Sequence, residues 1–386
     1  MFSFSSFTPL VGLDISTTAI KAVELRPAGK GWRLFKAGVK SLPPDAVGEG
    51  KVKDVEAVSA AIRELMSEAK ITTKQAAISI SGSAVIIKQI QLDPLGELQL
   101  EDQINLEAEE YIPFDIEDIF LDFQILHTPK AKKKKKGKKA KTEPAPGALD
   151  DEEKMDVLLV ACKKELLENY QQALEEAGLE PKMCDLDLFA AANAYEQIID
   201  PPKLGKKDEG SVVAVVNTGA TILNITTLKR KPKQPAGIPV FARDQAFGGK
   251  RLTEELQRSL DLSVEEAERF ISAGGPDDGS PPPESYEADI LGPFIDQLAG
   301  QIKQALDFYA SSNADDPIQK LCLSGGCALI PDIENRLGTI LEMPVAVADP
   351  FVPLKSGKIT DSMSPCLNMP PRFMVACGLA MRGRDL

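Results

Sequence analysis

The sequence predicts an α/β protein of two related lobes, with a small α+β segment inserted into the first. Three features carry that reading. The chain has 386 residues, which fits two or three domains of about 150 residues each. A strand, a polar turn and a second strand at residues 10–25 recur in outline at residues 212–228, as expected of two halves of common design with a cleft between them. From Val85 to Leu179 the pattern changes to strand, helix, strand, loop, strand, helix, an α+β unit in its own right. The expected division is a first lobe at 1–84 and 180–205, an insert at 85–179, and a second lobe at 206–386.

Leu10 to Leu13 is an apolar run, Asp14, Ser16, Thr17 and Thr18 form a polar turn, and Ala19 to Leu25 alternates apolar with polar residues; this is strand, tight turn, strand. Across 54–69, Val55, Val58, Ile62, Leu65, Met66 and Ala69 share one helical face. Ala76 to Ile80 is a short buried strand. In the insert, Val85 to Leu92 is a strand, Leu100 to Tyr111 an acidic amphipathic helix stopped at Pro113, and Ile119 to Leu126 another strand. Asp156 to Cys162 is its third strand, and the helix Glu165 to Ala177 ends at Gly178, a usual C-terminal stop. Pro201-Pro202 and the charged KLGKKDEG mark the crossing to the second lobe. There Val212 to Val216 and Ile222 to Leu228 flank a polar turn at Asn217 to Thr221. Helices follow at 250–260 and 264–273, then the loop GGPDDGSPPP and a long helix from Ala288 to Ala310. The strand Gln319 to Leu323 runs into Ser324-Gly325-Gly326; a helix after Pro331 and a last one near Phe373 to Met381 complete the chain.

Charge narrows the function classes. Lys and Arg number 45 against 58 Asp and Glu, a net of -13. Nine of the basic residues lie between Lys130 and Lys141, so the rest of the chain stands at -22. So acidic a body argues against nucleic acid, whose phosphates need clustered basic residues. The tract KAKKKKKGKKAKTEPAP is low-complexity and is read as an unfolded loop at 129–150. Its candidate contacts are an anionic membrane surface or an acidic partner.

Six cysteines without C-x-x-C spacing read as reduced core residues of a cytosolic protein. The N-terminus lacks a signal-peptide pattern, and no apolar run reaches the ~18 residues of a membrane span. A cytoplasmic protein is therefore expected. The single histidine, His127, lies before Pro129 and the lysines and reads as a surface residue, which disfavours Ser-His-Asp, Cys-His and multi-histidine metal chemistry. Gly248-Gly249-Lys250 is too short for a Walker A loop.

Three glycine- or hydroxyl-rich turns remain. In the first, successive N–H groups and the hydroxyls of Ser16, Thr17 and Thr18 can cradle phosphate, with Asp14 for a hydrated Mg²⁺ and Lys21 as a point charge. The second, Asn217-Thr218-Gly219-Ala220-Thr221, offers the same equipment from the other half. The third, Leu323-Ser324-Gly325-Gly326, lies at a strand end, where α/β ligands sit.

In this order and spacing the motifs resemble the superfamily of actin, heat-shock chaperones and sugar kinases, and most closely the PilM family of type IV pilus assembly proteins, relatives of the division protein FtsA. The resemblance runs through VGLDISTTAIKAVEL at the start, EAEEYIPF at 107–114, CDLDLFAAANAY at 184–195 and VVAVVNTGAT at 212–221. It continues in FGGKRLTEEL at 247–256, VEEAERF at 264–270, LSGGCALIP at 323–331 and VACGLAMRG at 375–383. It implies an actin-like (ribonuclease H-like) bilobed fold with an SHS2-like insert, and ATP with Mg²⁺ in the cleft. It also implies that Asp14, Ser16, Thr17, Thr18 and Lys21 form one phosphate loop and Asn217, Gly219 and Thr221 the other. Asp187 then orients the attacking water, Gly248 and Gly249 lie at the ribose, Glu268 at the adenosine, and Gly325 and Gly326 under the base.

Three positions depart from the family pattern: Ser16 stands where Gly is usual, Asn217 where Asp is usual, and A-E-x-x-K becomes Ala267-Glu268-Arg269-Phe270-Ile271. Weakened nucleotide binding and slow or absent hydrolysis are expected. The partner implied by the resemblance is the short cytoplasmic tail of PilN, bound between the first subdomain and the insert. The acidic helix with Glu107, Glu109 and Glu110, followed by Tyr111, Ile112 and Phe114, suits a basic, apolar peptide, although Tyr111 and Phe114 read equally well as insert core. Self-association is a further candidate contact. The alternatives are a soluble component of a type II secretion system and, in another class, an active ATPase or small-molecule kinase.

Overall fold

The computed structural model describes residues 7–29, 31–82, 85–95, 97–127, 154–201, 211–230, 238–354 and 363–386. The lysine tract at 130–141, the whole loop expected at 129–150 and the lobe crossing at 202–210 lie outside these residues, as does the environment of the His127 side chain. The chain forms two compact units, one of residues 1–83 with 166–386 and one of residues 84–165.

The larger unit contains two five-stranded sheets. The first is built from β1 (Val11–Ile15), β2 (Ala19–Ala28) and β3 (Gly31–Ser41), followed by a small ribbon of β4 (Val47–Gly48) and β5 (Lys51–Val52) that stands apart. Helix α1 (Val55–Glu68) and strand β6 (Gln75–Ile80) come next. Asp54 caps α1, its carboxylate accepting the Ala57 N–H at 2.9 Å. The smaller unit supplies β7 (Val85–Leu92), α2 (Glu97–Tyr111), β8 (Ile119–His127) and β9 (Met155–Lys163). The chain then returns through α3 (Lys164–Glu176), β10 (Glu180–Leu186) and α4 (Asp187–Ala194).

The second sheet is built from β11 (Val212–Thr218), β12 (Leu223–Lys229), β13 (Ile238–Gln245), β14 (Ile318–Gly325) and β15 (Val345–Val347). Helices α5 (Lys250–Leu260), α6 (Val264–Ala273) and α7 (Gly292–Ser312) lie between β13 and β14, and α8 (Ile333–Leu341) between β14 and β15. The chain ends with α9 (Ser364–Leu367) and α10 (Met374–Met381).

The sheets have the same plan. The first runs β3-β2-β1-β6-β10 and the second β13-β12-β11-β14-β15. In each, the first three strands are antiparallel and the last two join in parallel. Strands buried on both faces read as continuous apolar runs, which is why Val11–Ile15 and Val212–Val216 show little alternation. Helices α4 and α10 fill the space between the sheets, packing with Val23, Leu25 and Ala77 of the first and Val213, Val215 and Cys322 of the second. On the other face of the second sheet, Ala214 and Val216 meet α5 to α8.

The helix pair is packed backbone to backbone. A Cβ on Gly378 would fall on the Ala190 carbonyl, and one on Gly12 would fall on the α10 backbone at Ala376 and Ala380. Those two glycines set how closely α10 approaches α4 and β1.

Three local details differ from the sequence reading. The long helix of the second lobe starts as a wide π turn (Tyr286–Leu291) before α7, because Pro293 has no N–H to donate and sits at the start of the regular helix. Five cysteines are buried as expected, but Cys184 is exposed: β10 is an edge strand whose first positions alternate outward. The smaller unit ends at Glu165, short of the expected boundary at 179. Helix α3 is held to the larger unit instead, by Asn169 donating to the Val52 carbonyl at 2.9 Å, Tyr170 to Gly50 at 3.2 Å, and Arg63 to the Glu176 carbonyl at 2.8 Å.

The smaller unit is an antiparallel sheet, β7-β9-β8, covered by α2. Leu100, Ile104, Ala108 and Ile112 recur every four residues, the spacing of one helical face. They bury against Ile90, Val157 and Leu159 at one end and Ile119 and Ala161 at the other. Among the described residues no helix is long and apolar enough to cross a membrane.

Candidate functional site

The turn between β1 and β2 holds itself together. Asp14 and Lys21 face each other in the antiparallel register, and their side chains form a buried ion pair at 3.1 Å. Lys21 also donates to the Ser16 hydroxyl at 2.8 Å, and Ser16 donates to the Ala19 carbonyl at 2.8 Å. Ser16 thus has a structural use for its hydroxyl, in place of the open backbone a glycine would give. The turn between β11 and β12 stands opposite, and the two touch where Thr17 and Thr221 pair hydroxyl to hydroxyl at 3.1 Å.

The second turn is fastened from behind by α5. Gly249 N–H donates to the Gly219 carbonyl at 3.0 Å and Lys250 N–H to that of Ala220 at 2.9 Å. Gly248 lets this happen, since a Cβ there would collide with the Ala220 peptide. Gly325, with φ of 89°, ends β14 in a conformation that only glycine adopts readily, and its Cβ would strike the Thr218 carbonyl.

These residues surround one cleft of about 450 Å³, within the size range of ligand pockets. From the first half it is lined by Asp14, Ser16, Thr17, Thr18, Lys21 and Asp187. From the second it is lined by Asn217, Gly219, Thr221, Gly249, Glu268, Gly325 and Gly326. Of the residues assigned there from the motifs, Gly248 alone is set behind the wall, where it supports the second turn.

Asp187 opens α4 at the cleft floor. Its carboxylate accepts the Ser79 hydroxyl at 2.5 Å, and it stays partly exposed although protein encloses it deeply. Loss of water, with the Asp14 and Asp244 carboxylates nearby, pushes its pKa up to about 7, against the pull of Ser79 and Ser81. A carboxylate poised near neutral pH can take or hold a proton during chemistry.

Several site residues escaped the sequence motifs. Ser79 and Ser81 follow from β6 reaching the cleft with its C-terminal end. Arg372 lines the cleft and comes within 4.0 Å of Glu268, placing a cation beside Glu268 where Ile271 carries none. Asn224 and Asp244 extend the polar character of Asn217 across the sheet: Asn217 donates to Asn224 at 3.0 Å and Asn224 to Asp244 at 2.8 Å. Burial pushes the Asp244 carboxyl up, while Gly82 N–H and Asn224 pull it down. No separate sequence signal marked Asp244, which stands between Arg243 and Gln245 at the end of β13.

The set fits a nucleotide with Mg²⁺. Hydroxyls and close backbone suit phosphate oxygens, and Lys21, Lys250 and Arg372 give positive charge along the cleft. No cluster of three or more metal-ligating side chains occurs among the described residues.

In the smaller unit, Glu109 and Glu110 are exposed on α2. Glu107 accepts the Gln103 amide at 2.8 Å. Tyr111 is 36% exposed, with the Lys88 ammonium 5.6 Å from its ring centre. Phe114 is half-buried under Lys163, 4.3 Å away, a cation over each ring face.

A family model described as type IV pilus assembly protein PilM matches residues 12–139 and 144–384. Cell division protein FtsA of Bacillus subtilis (strain 168) is 23% identical over 369 residues, covering 88% of this chain and 78% of that one. Among solved structures, a chain of the PilM-PilN type IV pilus biogenesis complex has a TM-score of 0.78 at 25% identity and covers 99% of this chain and 100% of that chain. The ethanolamine utilization protein EutJ of Carboxydothermus hydrogenoformans has a TM-score of 0.53 at 17% identity, over 97% and 89% of the two chains, which is a likeness of fold alone. The actin-like fold class expected from the motifs holds.

Proposed function

The chain belongs to the PilM family of type IV pilus assembly proteins, and we propose that it serves there as a nucleotide-binding scaffold at the cytoplasmic face of the inner membrane. Its partner in this reading is the short cytoplasmic tail of a PilN-like membrane protein. The observation that carries it is near-complete correspondence, at 25% identity, with a chain solved in a PilM-PilN complex. The two facing turns and the cleft support the nucleotide part.

In this reading Asp14, Ser16, Thr17, Thr18 and Lys21 on one side and Asn217, Gly219 and Thr221 on the other hold the phosphates, with Asp14 receiving hydrated Mg²⁺. Gly249 and Glu268 face the ribose and adenosine, Gly248 backs the second turn, and Gly325 and Gly326 leave room for the base. Bound ATP with Mg²⁺ would supply the negative charge these donors lack and a bond open to hydrolysis. Lys21 holds Asp14 in place through their ion pair, and Asp187 holds or accepts a proton at its carboxylate.

Calorimetric titration with ATP and Mg²⁺ tests this. The wild type is expected to bind, and Lys21→Met to bind at least about tenfold more weakly through loss of a charged donor, with a thermal melt to check folding. A wild type that binds no ATP would overturn the nucleotide part. A second reading, an active ATPase or small-molecule kinase, is favoured by the near-neutral pKa of Asp187. Turnover at the ~1–100 s⁻¹ usual for kinases would decide for it against the scaffold; slow turnover is expected.

The docking part assigns Glu107, Glu110, Tyr111 and Phe114 to the peptide and is tested on the two rings. A fluorescent basic, apolar peptide is expected to lose about tenfold or more in affinity with Tyr111→Ala or Phe114→Ala, as aromatic anchors do. Circular dichroism should stay unchanged. Equal affinity for all three proteins would return both rings to the role of insert core.

A further inference from the structure

Four polar side chains stand in one row across the second sheet. The strand register aligns Ser324 of β14 with Asn217 of β11, Asn217 with Asn224 of β12, and Asn224 with Asp244 of β13. Ser324 donates to Asn217 at 3.1 Å, Asn217 to Asn224 at 3.0 Å and Asn224 to Asp244 at 2.8 Å. The other Asp244 oxygen accepts the Gly82 N–H at 2.7 Å. Gly82 follows β6 of the opposite sheet, and an added Cβ there would come within 3.2 Å of Ile222 in the second turn.

The direction of this chain is dictated by its end. A carboxylate only accepts, so both of its neighbours must donate. Asn224 therefore turns its NH₂ to Asp244 and its oxygen to Asn217. Asn217 must then turn its NH₂ to Asn224 and its oxygen to Ser324. One N–H and one lone pair of Asn217 are left for the cleft, in an orientation set two strands away, about 10 Å at the usual strand spacing.

We propose that Asp244 is the positioning residue of the second phosphate turn: through Asn224 it orders the Asn217 amide, and through Gly82 it holds that turn against the first lobe. This rests on reading the cleft as a nucleotide site. Its consequence for that site is specific. The second turn meets phosphate with a neutral, oriented donor, while the negative charge that orders it stands two strands to the side, on β13.

The test uses the full chain, first without nucleotide. In Asp244→Asn the Gly82 amide is expected to exchange at least about tenfold faster, since one acceptor becomes a donor. The side-chain ¹⁵N resonances of Asn217 and Asn224 should shift as the row loses its fixed direction. With ATP and Mg²⁺, the same variant should bind about tenfold more weakly. The double variant Asn217→Asp with Asp244→Asn reverses the row, so the amide at 244 gives its NH₂ to Asn224 and turns its oxygen to Gly82; Gly82 protection should return, while ATP affinity stays low because a carboxylate now faces the phosphate. A merely structural residue would not be rescued in this way.

Unchanged Gly82 exchange and unchanged amide resonances in Asp244→Asn would overturn the proposal. So would equal ATP affinity in Asp244→Asn and a wild type that binds. If the wild type binds no ATP, the nucleotide reading falls, and the two nucleotide-free readouts still decide the role of Asp244. Should Asp244→Asn not fold, Asp244→Glu serves: it keeps the amide order and, with its longer side chain, loosens the Gly82 bond.

Discussion

Gly378→Ala should cost about 3 kcal/mol of stability or more, at the upper end of overpacking. The new methyl would land on the Ala190 carbonyl where α10 crosses α4. Neither helix can yield easily. Both belong to the core shared by the two sheets, and Gly12 already brings β1 against the α10 backbone on another side. The same substitution at Gly300 is the control. Gly300 lies exposed inside α7 with open space around its Cα, so Gly300→Ala should stabilise by about 1 kcal/mol through helix propensity alone. Urea denaturation reads both. Equal effects at the two positions would mean that the α4–α10 crossing relaxes freely, and that the close approach does not set the lobe spacing.

Asp187→Asn should make the protein more stable, and by an amount that depends on pH. The Asp187 pKa is about 7 in the fold and near 4 in an unfolded chain. Between those values the folded state holds a proton that the unfolded state has released, so wild-type stability falls as pH rises through the window and levels off above it. The asparagine still accepts from Ser79 and carries no charge to desolvate. The melting-temperature gap between variant and wild type should therefore open from pH 4 to 7 and stay constant above 8. Allowing for the partial exposure of the carboxylate, the corresponding difference in unfolding free energy should reach about 1–2 kcal/mol. A gap independent of pH would remove the shifted pKa from the account. Any hydrolysis should show the opposite preference, rising through pH 7 in the wild type and lost in the variant.

Both effects come from positions that the sequence marked only in part. Gly378 was visible as a glycine in VACGLAMRG, and Asp187 as the second carboxylate of CDLDLF. What each does depends on a neighbour far along the chain: Ala190 for the first, Ser79, Asp14 and Asp244 for the second. The strands legible from periodicity were those whose neighbours in sequence settle the pattern, β1 and β2, β11 and β12, and the three of the smaller unit. Strands β6 and β14 were legible as short apolar runs, whereas β3, β10, β13 and β15, which complete the two sheets, were not identified. Only part of β3 alternates cleanly, through Trp32 and Leu34. β10 carries the charge and exposure of an edge. β13 mixes Arg243 and Asp244 into its apolar run.

The cleft was legible for a different reason. Turns that bind phosphate need particular residues at adjacent positions, so Asp14 to Lys21, Asn217 to Thr221 and Gly325-Gly326 stand out in a single chain. Arg372 beside Glu268 and Asp244 in the row of Asn217 are remote in sequence from those positions.

The amino-acid order alone determined the local features: the strands beside the tight turns and most of the helices, where those turns fall, which turns carry hydroxyls and glycine, and that the design occurs twice. These depend on interactions within about ten residues, whose geometry follows from side-chain type and spacing. The fold decided the rest: the register that lines up Ser324, Asn217, Asn224 and Asp244, the crossing that admits only glycine at 378, the allegiance of α3, and the near-neutral carboxylate of Asp187. Each of these depends on what the folded chain brings within a few ångströms and on how much water it excludes there, and neither quantity is written in a run of neighbouring residues.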